Sequence, residues 1–107
     1  MTMNLLLWKW SGEFDSPAKR KRHSLKFEDV TRQFCKDGDH PAIGDADISA
    51  FSDALDSEFG SNADNWPFAL ETYAKCAVVN YANSQRFELV PRIASIGRRF
   101  GLNASEF

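Results

Sequence analysis

The 107-residue chain is 43 % hydrophobic and 13 % aromatic with a formal charge of −2, which excludes a disordered chain and leaves room for one domain, residues 1–107. No stretch approaches the ~20 apolar residues that cross a bilayer, and the run Leu5 to Trp8 is too short for a secretory core and is cut by Lys9, so a cytoplasmic chain with no membrane partner is expected. The small total charge hides a strong asymmetry: residues 1–36 carry a net +4, residues 37–71 carry nine acids with no Lys or Arg, and residues 72–107 carry a net +3.

Asn4 to Trp10 reads as a strand whose leucines and tryptophans run almost without a break, the pattern of a strand buried on both faces. Ser16-Pro17 signals a helix start, and the turn Ala18 to His23 that follows is short and basic. Phe27, Val30 and Phe34 fall at i, i+3 and i+7, which predicts an amphipathic helix over about 25–36 ended near Gly38. Residues 37–44 read as a loop. Ile48, Phe51, Leu55 and Phe59 predict a second helix, capped by Asp45 or Asp47 and closed by Gly60, with its acids on the outward face.

Phe68 to Tyr73 and Cys76 to Ala82 are rich in β-branched and aromatic residues and read as two strands. Their link, Ala74-Lys75, lacks the Asn-Gly or Asp-Gly of a strong hairpin turn. Leu89, Ile93, Ile96 and Phe100 predict a closing helix with Pro91 awkwardly inside it and Gly101 at its end; residues 102–107 offer a short edge strand. This order predicts an α/β (α+β) fold: a ferredoxin-like sandwich, its three- to four-stranded sheet covered by helices on one face, with an extra helix.

The acidic segment invites a metal reading, but the spacing fails. A calcium loop begun at Asp37 would place Pro41 and Ala42 at its fifth and sixth positions, and one begun at Asp45 would place Ala50 at the sixth, where glycine belongs. Zinc would need ligand spacing that His23, His40, Cys35 and Cys76 do not supply. There is no GxSxG elbow, no Gly-rich phosphate loop and no sequence-local Cys–His pair. No catalytic residue, metal or cofactor is assigned. Both cysteines read as buried free thiols. The run Lys19-Arg20-Lys21-Arg22-His23 has no interleaved aromatic in a chain of pI near 5.6, so it reads as a solvated helical face and nucleic acid is not the expected partner. Strand alternation puts Trp8 and Trp10 on one face, with at least one of them in the core, and Lys9 on the other.

The opening Asn4-Leu5-Leu6-Leu7-Trp8-Lys9-Trp10, the loop Trp66-Pro67-Phe68, the strand Val78-Val79-Asn80-Tyr81-Ala82 and the closing Ile93-Ala94-Ser95-Ile96-Gly97-Arg98-Arg99-Phe100-Gly101-Leu102 resemble small bacterial immunity-like proteins of polymorphic or contact-dependent toxin systems. The resemblance implies a non-enzymatic protein that blocks a cognate toxin by direct contact. It carries over no functional residue, because such partners diverge at their contact surfaces. The charge pattern supplies the candidates: Asp37, Asp39, Asp45, Asp47, Asp53, Asp56 and Glu58 would meet a basic protein partner, such as a toxin domain acting on nucleic acid. Two other readings stand beside it. One is a small enzyme or metal-dependent catalyst using the 37–47 loop; the other is a self-associating protein, a homodimer through an exposed sheet edge.

Overall fold

The computed structural model describes residues 2–38 and 40–107, apart from the side chains of Phe27 and Ala63. Strand β1, Thr2–Trp10, is its axis. Leu5 and Leu7 point to one face of the sheet, Leu6 and Trp8 to the other, and all four are buried. Among the described residues, three strands line its sides. Strand β4 (Ala77–Ala82) pairs along one side from Thr2↔Ala82 to Leu7↔Ala77. On the other side lie β5 (Asn103–Glu106), from Leu5↔Glu106 to Trp8↔Asn103, and then the two-residue β2 (Ile43–Gly44) opposite Lys9 and Trp10. Strand β3 (Phe68–Thr72) pairs only with β4. Every pairing is antiparallel.

Helices α3 (Ile48–Phe59) and α4 (Arg86–Arg98) cover one face. Leaving β2 aside, the order β1, α3, β3, β4, α4, β5 with the strands arranged β5-β1-β4-β3 is the ferredoxin-like sandwich expected from the sequence. Two features amend that expectation. Among the described residues the sheet has five strands, because Ile43–Gly44 pairs with the end of β1 inside the stretch that the sequence predicts as a loop. The inserted helix α2 (Phe27–Asp37) covers the opposite face rather than the same one. Its Val30 and Phe34 pack with Leu6, Trp8, Ile43, Cys76 and Val78 in a second core. The reason is the doubly apolar β1: a strand with no polar face needs cover on both sides.

Local chemistry sets the ends of the elements. Ser16 caps the six-residue α1 (Pro17–Arg22), accepting the Lys19 amide at 3.3 Å. The Asp29 carboxylate accepts the Lys26 amide at 3.0 Å at the start of α2, and Gly38 closes that helix at φ +75°. Helix α4 runs through Pro91 after a 3-10 turn at Asn83–Gln85. Pro91 removes one amide that would have met the Phe87 carbonyl, in a stretch where both residues are exposed and water can serve that carbonyl. The helix ends in a Schellman turn: Leu102 donates to Gly97 and Gly101 to Arg98, at 3.0 and 3.1 Å, with Gly101 at φ +73°. Gly44 is required for another reason. A Cβ there would lie 2.7 Å from the Trp10 carbonyl oxygen.

Both cysteines are free thiols, but only Cys76 is buried; Cys35 is exposed, one position off the inward stripe of α2. A thiol reagent should therefore modify one cysteine rapidly in the native protein and the second only after unfolding. Rapid modification of both in buffer would contradict the burial of Cys76 in the core beneath α2.

Candidate protein interface

Helix α3 is acidic outside because its apolar residues take one stripe. Ile48, Phe51 and Leu55 are buried against the sheet and α4. Asp47 caps the helix, its carboxylate accepting the Ala50 amide at 3.0 Å, which holds one negative charge at the positive end of the helix dipole. Asp45, Asp47 and Asp53 are exposed and Asp56 is half-buried. The helix lies alongside β3. The rings of Phe59 and Phe68 sit 4.9 Å apart at one end, and Ser49 and Ser52 line a shallow hollow with Thr72, Tyr73 and Ala74 at the other. Helical spacing turns Ser49, Ser52 and Asp56 toward the β3 side, with Asp53 next to them on the outer surface.

The sequence candidates do not all gather here. Glu58 faces the other flank of α3, where it accepts a bond from Arg92 of α4 at 2.9 Å. The same guanidinium stacks over Phe59, 4.5 Å from the ring centre, so Glu58 is part of the helix–helix seam. Asp37 ends α2, in the layer on the opposite face of the sheet. Asp39 lies outside the described residues. Four candidates remain together on and before α3: Asp45, Asp47, Asp53 and Asp56.

Among the described residues, the 37–47 loop has no ready ligand set. His40 is buried, and its Nδ1 accepts the Ala42 amide at 2.9 Å, so the imidazole builds the turn into β2. No group of three or more His, Cys, Asp or Glu side chains among the described residues is placed to hold a metal ion. Incubation with EDTA should leave the melting temperature unchanged; a large drop reversed by one divalent ion would contradict this.

The basic run is only partly solvated. Lys19 bonds Asp15 at 2.9 Å and holds that carboxyl below its usual range, through the hydrogen bond first and the charge second. Arg20 stacks over Trp10 at 4.5 Å. Lys21 and Arg22 are exposed. Trp8 is buried and donates to the Ser105 hydroxyl at 3.1 Å, while Lys9 is exposed.

Sequence reasoning missed two parts of this surface. The Arg92–Glu58 bridge joins residues 34 apart in sequence, and no local pattern foretells it. The free edge of β3 beside α3 is a property of strand order alone. No helix among the described residues is long and apolar enough to cross a membrane. No protein-family model, curated protein or solved structure matches the chain.

Proposed function

We propose that the chain is a non-enzymatic protein-binding domain that neutralises a bacterial toxin in the cytoplasm by direct contact, docking a basic region of that toxin against α3. One observation carries the reading: Asp45, Asp47, Asp53 and Asp56 share the outer side of a single helix and the loop before it, in a segment, residues 37–71, that holds no Lys or Arg. A one-sided surface of this kind raises the encounter rate with a positive partner and repels acidic ones. The similarity of the strand and helix motifs to immunity-like proteins adds the biological role.

Capture from a native lysate at low salt, followed by mass spectrometry, tests the reading. The expected result is a stoichiometric basic protein that is released at about 1 M salt, where the screening length falls to ~3 Å. Retention of nucleic acid or of an acidic protein would contradict it.

A further inference from the structure

We propose that the partner docks by adding an extended, basic segment of five to seven residues, roughly the length of an ordinary strand, to the free edge of β3. The inference rests on the protein-binding reading above and specifies its geometry. Among the described residues, strand β3 has a neighbour on one side only. The Tyr73 amide donates to the Cys76 carbonyl at 2.8 Å, which makes Tyr73↔Cys76 a hydrogen-bonded pair. Antiparallel pairs alternate between bonded and non-bonded, so Glu71↔Val78 and Ala69↔Asn80 are bonded pairs too. The amides and carbonyls of Phe68, Leu70 and Thr72 therefore point away from β4 along the edge.

The surroundings select the occupant. Helix α3 runs antiparallel to β3 over its whole length, from the hollow at Thr72 and Tyr73 to the Phe59–Phe68 contact. A strand laid on this edge would have alternate side chains under Ser49, Ser52, Asp53 and Asp56. Its other side chains would lie beside the exposed Ala69 and Glu71. Acids thus flank the edge on both faces, and Arg92, which reaches α3 from α4, is paired with Glu58. A second copy of the chain fits poorly. Two-fold pairing of β3 edges would set two α3 helices side by side on one face of the joined sheet, each presenting Asp53 and Asp56. An edge with free ladder groups and an acidic border instead suits a basic strand, with main-chain bonds giving affinity and charge giving selection.

The test uses the intact protein and the synthetic peptide Thr-Lys-Val-Lys-Val-Lys-Thr. Amide hydrogen exchange should slow at Phe68, Leu70 and Thr72 when the peptide is added, with little change elsewhere on the sheet. A peptide N-methylated at alternate residues keeps every charge but blocks one bonding edge. The form methylated on the edge that meets β3 should bind at least about tenfold more weakly, as the loss of several ladder bonds requires. The form methylated on the opposite edge should bind as the parent does. Because these changes are in the peptide, the fold of the protein is not at stake. Charge-dependent binding with no edge protection and no effect of either methylation would overturn the edge and leave the acidic-surface reading standing. Concentration-dependent protection of the same amides without peptide would assign the edge to a second copy. Absence of peptide binding at millimolar concentration would also overturn the proposal, while the lysate capture decides the protein-binding reading separately.

Discussion

Replacing Trp8 with alanine should destabilise the protein by about 3–5 kcal/mol, the range for removing a large aromatic from a packed core. Trp8 is fully buried and lies among Leu6, Val30, Phe34, Ile43, Cys76 and Val78, so it fills the space between the sheet and α2. Its ring meets Trp10 edge-on at 4.4 Å, and its indole N–H reaches Ser105 on the neighbouring strand β5. Truncation would therefore open a cavity and also leave the Ser105 hydroxyl without that donor. For a domain whose whole stability is on the order of 5–15 kcal/mol, such a loss is a large fraction. Trp8→Phe retains most of the apolar volume and should cost less than half as much. Urea unfolding, extrapolated linearly, measures both. A Trp8→Ala variant within about 1 kcal/mol of the parent would contradict the second core, since surface substitutions typically stay within ±0.5 kcal/mol.

That second core marks the limit of what the sequence reveals. The uninterrupted run Leu5-Leu6-Leu7-Trp8 already implied a strand covered on both faces. The stripe Phe27, Val30, Phe34 gave a helix with an inward side, but periodicity does not say which face of a sheet that side meets; the side chain of Phe27 lies outside the description. The ends of α3 were legible because Asp47 and Gly60 have strong local preferences, and the structure uses both. The pairing of Ile43–Gly44 with Trp10 and Lys9 was not, since two residues carry no period. Strand β5 was readable only as an offered edge; its register against β1 is fixed by contacts nearly a hundred residues away, among them Trp8 with Ser105.

The candidate surface followed the same division. A charge count found the acidic segment. Only the fold could separate Asp45, Asp47, Asp53 and Asp56 from Asp37 on the other layer and from Glu58 in the seam with Arg92. The free edge of β3 is a consequence of strand order β5-β1-β4-β3, which depends on how the crossing helices close the sheet.

Steering of a basic protein partner by α3 is read from the association rate of the captured partner with the double variant Asp53→Lys, Asp56→Lys. Neither side chain belongs to the buried stripe Ile48, Phe51, Leu55, so the melting curve should be unchanged. Each reversal removes an attraction and adds a repulsion, and charges at the surface of an interface act chiefly on the encounter. The rate constant should fall by about tenfold or more at low ionic strength, and the difference should shrink as salt shortens the screening length. The control reverses the exposed Lys21 and Arg22, since Lys19 and Arg20 are engaged with Asp15 and Trp10. Slow association is expected for the acidic reversal and parental association for the basic one. An untouched rate for the acidic reversal, with binding abolished by Lys21→Glu and Arg22→Glu, would contradict it and place recognition on the other face.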